Sequence, residues 1–402
     1  MNPPVFQEVF LLPTGFRSAG VHAGIKADPA KSDMALIVSD VPETTVAGMF
    51  TTNKIQAAPV KMGIEVCKSG QARAVIVNSG NANACTGKQG VLDAQEMADQ
   101  TAALLGFSAE EVLVSSTGSI GKPMNMPPVR KGIALLTEAL SGEGGAATAK
   151  AILTTDTRPK MCSTTIEVDG KTVTIGGCCK GAGMIEPNMA TMLAYICTDA
   201  KIEAGDLRDA LKVAVNRSFN KISIDGDTST NDSVICFANG QAGNETLNAG
   251  HPDWELFQCA LNGVIFDLAM KIVWDGEGMT KFIELQAQGA VSDQEADKAL
   301  RAIANSFLVK TGMAGTYPAW SRMVDVLGYC GVEIDVDKLS IWYDELPILL
   351  DSTPALPDAE ALKKILHSNR YTVRLDLGTG GEGKAVLYTC DCTEEYVRIN
   401  MF

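Results

Sequence analysis

Histidine is nearly absent: His22, His251 and His367 are the only three in 402 residues. None stands at zinc-site spacing from a cysteine or another histidine. No Gly-x-Ser-x-Gly elbow presents a serine, so an enzyme built on this chain would need a nucleophile that works without histidine. The eleven cysteines are odd in number and follow no framework spacing. Cys178-Cys179 and Cys390-x-Cys392 are too close for a C-x-x-C clip. Most lie in apolar, strand-like runs such as 193–197 and 234–236, which reads as reduced, buried small hydrophobes in a cytoplasmic protein. No uninterrupted apolar run reaches about 18 residues, so no membrane span is expected. Met1-Asn2-Pro3-Pro4 lacks the basic flank and apolar run of a signal peptide. Basic charge is in deficit, Lys+Arg 34 against Asp+Glu 48 for a net −14. That balance argues against nucleic acid or anionic membrane as a partner and suits small cationic or zwitterionic ligands.

The length allows two or three domains, or one large sandwich. An apolar run at 74–77 reads as a strand closed by an Asn/Gly-rich segment. Helices are expected over 91–105, stopped by Gly106, and over 128–140. Ser108 and Glu111 have capping-box spacing, but a strand-like run follows at once. The segment 164–175 reads as a hairpin around Asp169-Gly170. Asp206 is placed to cap a helix through Asn216, 254–272 is the longest helical pattern, and Ser292 with Glu295 opens another helix. Tyr371, Val373, Leu375 and Leu377 alternate as a half-buried strand, which 378–383 turns into a second strand over 384–390. Strands and helices do not alternate strictly, and this favours α+β layers.

Gly378-Thr379-Gly380-Gly381-Glu382-Gly383 spells a dinucleotide fingerprint. A β-pattern rather than a helix follows it, so no helix N-terminus receives a pyrophosphate, and a hairpin turn is the better reading. The informative run is Lys180-Gly181-Ala182-Gly183-Met184-Ile185-Glu186-Pro187-Asn188-Met189-Ala190-Thr191. It places a hydroxyl at the start of a rigid apolar strand, behind a Gly-rich loop. Spacing alone favours a threonine that caps or hydrogen-bonds locally at a loop–strand junction.

This run resembles the autocleavage site of the ornithine acetyltransferases, also called glutamate N-acetyltransferases. The resemblance continues in order through Gly15-Phe16-Arg17-Ser18-Ala19-Gly20, Asn78-Ser79-Gly80-Asn81-Ala82-Asn83, Ser116-Thr117-Gly118 and Thr154-Thr155-Asp156-Thr157. It extends to Asp225-Gly226-Asp227-Thr228-Ser229-Thr230-Asn231-Asp232, Asp275-Gly276-Glu277-Gly278 and Tyr396-Val397-Arg398-Ile399-Asn400. It implies an α+β fold of layered sheets between helices, similar to N-terminal-nucleophile enzymes. It also implies self-cleavage between Ala190 and Thr191, giving a first fragment 1–190 and a second, 191–402, that share one core.

The freed α-amine of Thr191 would then serve as base for its own hydroxyl. Acetyl would pass from N-acetylornithine to Thr191 and on to glutamate. Thr117 and Gly118 match the family's oxyanion-hole pair. Thr154, Lys180, Glu277 and Asn400 match its substrate contacts. No metal or organic cofactor is implied, although some relatives also accept acetyl-CoA. The fragments would associate as α2β2 or larger assemblies.

Two departures stand out. Relatives usually continue past the terminal Ile-Asn to a serine or threonine, whereas this chain reads Asn400-Met401-Phe402. The usual Gly-x-Asp-Pro-Asn-Trp-Gly-Arg becomes Gly315-Thr316-Tyr317-Pro318-Ala319-Trp320-Ser321-Arg322. Both leave a different acyl donor or acceptor open. The competing readings are a self-cleaving amidohydrolase or aminopeptidase, which would give the acyl group to water, and a non-catalytic homologue.

Overall fold

Unbroken buried runs make strands such as 34–39, 193–198 and 233–238, whereas buried and more exposed residues alternate over 370–376. The computed structural model describes residues 3–186 and 192–401, so Ala190 and Thr191 lie outside the described residues. The strands are β1 (Phe16–Val21), β2 (Met34–Ser39), β3 (Thr45–Phe50), β4 (Ala74–Asn81), β5 (Val112–Ser119), β6 (Lys160–Val168), β7 (Lys171–Lys180) and β8 (Leu193–Thr198). They continue with β9 (Ile222–Ser223), β10 (Ser233–Ala238), β11 (Phe282–Ala290), β12 (Ser340–Tyr343), β13 (Leu346–Leu350), β14 (Thr353–Pro354), β15 (Arg370–Asp376) and β16 (Gly383–Cys390). The chain divides into two packed units. One comprises Met1–Gly181, Pro187–Asn220 and Thr228–Ile272; the other comprises Ala182–Glu186, Lys221–Asp227 and Val273–Phe402.

The first unit holds two sheets, ordered β1-β2-β4-β5 and β3-β10-β8-β7-β6. Ile37, Val75, Val77 and Leu113 of one share a core with Cys178, Leu193, Tyr195, Ile235 and Phe237 of the other. The opposite face of the four-stranded sheet packs Leu36, Ile76 and Val114 against Met97, Ala98, Val129, Ile133 and Leu136 of the helices Gly87–Leu105 and Met126–Ala139. These layers are the sheets-between-helices arrangement expected from the sequence. Strands from both sides of residues 190 and 191 lie in the five-stranded sheet. The helix Trp254–Val273 is long and apolar enough to cross a membrane by length and composition. Phe257, Leu261, Val264, Ile265 and Leu268 are wholly buried, and Cys179 Sγ lies 3.6 Å from the Leu268 carbonyl oxygen; it is a core helix.

The second unit is a seven-stranded sheet, β14-β13-β12-β15-β11-β16-β9. Ile283, Leu285, Val373, Leu375 and Leu387 pack against Ala296, Leu300 and Ile303 of the helix Asp293–Asn305.

Local expectations held where the signal was local. The first helix pattern closes at Gly106 with φ 72°, and Asp169 and Gly170 turn the β6–β7 hairpin with φ 51° and 68°. Three differ. Ser108 and Glu111 do form a capping box, on the single 3-10 turn Ala109–Glu111 before β5. Asp206 lies in the first turn of the helix Ala204–Asn216, whose N-cap is Glu203, so it favours the positive helix end without capping it. The segment 378–383 is not a hairpin, because β11 lies between β15 and β16, parallel to one and antiparallel to the other. The loop crosses the end of β11: Thr379 N donates to the Gly289 carbonyl at 3.0 Å, and a Cβ on Gly381 would stand 2.1 Å from the Ala290 oxygen. Its glycines permit that close crossing.

Among the cysteines, Cys67, Cys162, Cys178, Cys179, Cys197, Cys236 and Cys390 are buried, but Cys85 and Cys259 are exposed.

Candidate active site

The expected oxyanion pair lies at the end of β5, which runs parallel to β4 with Ser79 abreast of Thr117 and Gly80 abreast of Gly118. Spacing alone would make Ser116-Thr117-Gly118 a turn, yet it is strand. Gly118 has φ +132°, and a Cβ there would lie 2.4 Å from the Gly80 carbonyl carbon, so only glycine fits. Lys180, at the end of β7 and 7% exposed, reaches the Thr117 hydroxyl with its Nζ at 3.4 Å. Two residues matched to separate roles are therefore neighbours.

Asp156 organises the surroundings of the other expected contacts. One oxygen accepts the Thr154 amide at 3.0 Å; the other accepts the Gly181 amide at 2.6 Å and Lys160 Nζ at 2.7 Å. The Asp156 and Lys160 side chains are sealed from solvent. Burial alone would raise the Asp156 carboxyl, but the charges of Lys180 and Lys160 overcome it and hold it below the usual carboxylate range. Lys26 Nζ donates to the Ser32 and Leu153 carbonyls at 2.8 and 2.7 Å, beside Thr154. Burial pulls the Lys26 ammonium down to about 8.

Asn231 locks the end of β5 from another direction. Its amide donates to the Ala82 and Ser116 carbonyls at 2.6 and 2.8 Å, which fixes the peptide preceding Thr117. Asp156, Lys160 and Asn231 were missed as site residues by reading the sequence. Two of them stand inside the recognised motifs, and only tertiary register shows what they hold.

In the second unit, Glu277 is buried at 7% exposure, not the exposed loop acid that its Gly-flanked turn suggests. Asn400 Nδ2 donates to Glu277 Oε2 at 2.7 Å, so this expected pair is in contact. Asp225 accepts the Met184 and Ile185 amides at 2.6 and 2.7 Å and the Tyr396 hydroxyl at 3.2 Å. Asn400, Met401, Phe307, Gly315 and Tyr396 line an open, mostly apolar groove of about 840 Å³, a size that admits a small metabolite. Of the departing residues, Tyr317 is 69% exposed, while Ala319 is buried as the N-cap of the helix Trp320–Tyr329. Arg322 Nη1 donates to the Leu308 carbonyl at 2.6 Å, and Lys281 Nζ to the Gly315 carbonyl at 2.5 Å. Those two bonds hold the segment in place as structure.

Asp169, His251 and Asp253 are the one group of potential metal ligands that converges among the described residues. Their contacts already serve a turn: Asp253 N donates to His251 Nδ1 at 3.0 Å, and Asp169 accepts the Glu245 amide at 3.0 Å.

Residues 17–401 match the ArgJ family. A protein of Symbiobacterium thermophilum named arginine biosynthesis bifunctional protein ArgJ is 46% identical over 389 residues, 96% of each chain. One of the same name from Shouchella clausii is 47% identical over 389 residues, 96% of this chain and 93% of that one. The crystal structure of the arginine biosynthesis bifunctional protein ArgJ of Bacillus halodurans is similar at a TM-score of 0.50 and 41% identity. It covers 52% of this chain and 99% of its own, so that polypeptide is about half as long.

Proposed function

This chain belongs to the ArgJ family, and on that premise we propose that it is a self-cleaving acetyltransferase that moves acetyl from N-acetylornithine to glutamate through Thr191. The observation that carries the reading is the buried contact between Lys180 and the Thr117 hydroxyl, beside a Gly118 that tolerates no side chain. A hydroxyl fixed on a strand beside a backbone that admits only glycine supplies preorganised donors, which a tetrahedral oxyanion requires, and Lys180 sets a positive charge next to them.

The steps follow from the chemistry of a secondary alcohol. In the precursor the Thr191 hydroxyl attacks the Ala190 carbonyl, and the peptide becomes an ester with a free amine on residue 191. Water cleaves the ester and leaves chains of 190 and 212 residues. A relative whose chain is about half as long fits this, as do sheet strands drawn from both sides of the bond, which would hold the fragments together. The Thr191 amine, ordinarily near pKa 7.7–8.0, takes the hydroxyl proton. The hydroxyl attacks the acetyl carbonyl of N-acetylornithine, Thr117 and Gly118 donate to the oxyanion, and ornithine leaves. Glutamate then takes the acetyl group by the reverse chemistry.

As the resemblance implies, Lys180 and Thr154 carry groups suited to a carboxylate, and Glu277 carries one suited to an amine. The reaction requires no metal or organic cofactor; acetyl-CoA is a second donor to test. Reduced cysteines fit a cytoplasmic compartment. Incubating the protein with N-acetylornithine, with and without glutamate, tests the assignment. Formation of N-acetylglutamate supports it; release of free acetate alone makes the protein a hydrolase.

A further inference from the structure

Asp33 is sealed from solvent, and its carboxylate gathers consecutive backbone amides of the loop after β1. It accepts those of Ala23 at 2.6 Å, Gly24 at 3.1 Å, Ile25 at 2.7 Å and Lys26 at 3.0 Å. These bonds fix the loop, which lays the Lys26 stem against the end of β4. Gly80 makes room for it there. With φ +110°, a Cβ on Gly80 would stand 3.2 Å from Ile25 Cγ2 and 3.4 Å from Lys26 Cγ. Gly80 is abreast of Gly118, so Lys26 packs on the strand beside the expected oxyanion pair.

The Lys26 ammonium is anchored but not neutralised. Its hydrogen bonds, at 2.8 and 2.7 Å, go to the Ser32 and Leu153 carbonyls, which are uncharged. An ammonium has three donors, so one N–H remains to offer among the described residues. Lys160 differs, being sealed against the Asp156 carboxylate at 2.7 Å. The negative charges that reach Lys26 belong to Asp33 and Asp156. Both are engaged elsewhere, Asp33 by the loop amides and Asp156 by Lys160 and the Thr154 and Gly181 amides. Lys31 and Lys180 add positive charge to the same field. In a chain of net charge −14 this is a local positive basin.

We propose that Lys26 is a substrate-binding residue, which joins Lys180 and Thr154 in receiving the α-carboxylate shared by N-acetylornithine and glutamate. This deepens the transfer reading given above and rests on it. Leu153, whose carbonyl holds the ammonium, directly precedes Thr154. Lys180 reaches Thr117 on β5, the strand next to the one on which Lys26 packs. A carboxylate has two oxygens and can engage two cations at once. It is also the anion that both substrates carry. Burial, the largest influence on Lys26, draws its ammonium down to about 8, and an arriving carboxylate opposes that pull. Lys26 forms and breaks no bond in the reaction, so its loss falls on KM rather than on kcat.

The test compares full-length native protein with Lys26→Met, which keeps most of the stem and loses the charge. Each is assayed on N-acetylornithine and on its α-carboxamide, with glutamate as acceptor. Native protein should prefer the acid, and the variant should lose about tenfold or more of that preference. Its kcat on the acid should change less than about threefold, and KM for glutamate should rise as well. Equal losses on acid and carboxamide overturn the proposal, because a merely structural lysine weakens both alike. A rise confined to glutamate overturns it too, by assigning Lys26 to the side-chain carboxylate. Native protein that forms no N-acetylglutamate sinks the transfer reading instead, and the proposal with it. Where Lys26→Met fails to fold, a crystal structure of the native protein with ornithine decides. Lys26 Nζ within about 3.2 Å of a carboxylate oxygen supports the assignment, and a longer separation refutes it.

Discussion

The Glu277 carboxylate lies against the backbone of Gly183, where a Cβ would stand 2.4 Å from its carboxyl carbon and 2.5 Å from both oxygens. The missing side chain at 183 leaves Glu277 the place in which Asn400 reaches it at 2.7 Å. Gly183→Ala would displace only the end of a flexible side chain, so Tm is expected to stay near native. KM for N-acetylornithine should rise about tenfold with a smaller change in kcat. Glu277→Gln should act in the same direction. Steady-state kinetics check both, and an unchanged KM in the pair would remove Glu277 from substrate recognition.

The oxyanion assignment separates two residues by mechanism. Thr117→Val keeps a strand-compatible shape and loses one donor, so kcat is expected to fall about 10²- to 10³-fold with little change in Tm. Gly118→Ala places a methyl 2.4 Å from the Gly80 carbonyl carbon at φ +132°, and should lower Tm as well as activity. Thermal melts beside single-turnover rates distinguish the two. A fully active Thr117→Val would remove that hydroxyl from the reaction.

Asp156 is expected to be costly to neutralise. Asp156→Asn leaves the sealed Lys160 without its counter-charge, a loss of about 3–5 kcal/mol. The Asp156 carboxyl is held below its ordinary value. Its contribution is therefore complete above the unfolded value of about 3.9 and is lost as pH falls through the lower folded value. Denaturant melts at pH 7 should show the full gap between native and variant, and the gap should narrow below pH about 4. A constant gap on acidification would mean that the pair is not ionised.

Signals carried by a few consecutive residues were legible. Gly106 ends a helix and Asp169-Gly170 turns a hairpin because each needs only its own backbone geometry. The loop 378–383 was misread because the inserted strand β11 lies far earlier in the chain, and no local pattern reveals which strand will occupy the gap. The site divides in the same way. Family resemblance pointed to Thr117, Gly118, Thr154, Lys180, Glu277 and Asn400 as candidates, and the structure adds that Lys180 meets Thr117 and that Asn400 meets Glu277. Asn231 and Asp156 stand inside the recognised motifs with no role assigned to them. Their weight comes from burial and from partners far away in sequence, as when Asn231 holds the Ser116 carbonyl.

Intact-mass spectrometry of the native protein beside Thr191→Ala, before and after N-acetylornithine, tests the central claim most directly. The account predicts two native fragments, the second beginning at Thr191 and gaining about 42 Da as an acetyl ester that glutamate removes, while the variant stays a single chain. A native chain that is never cut, or identical fragments from Thr191→Ala, would contradict it.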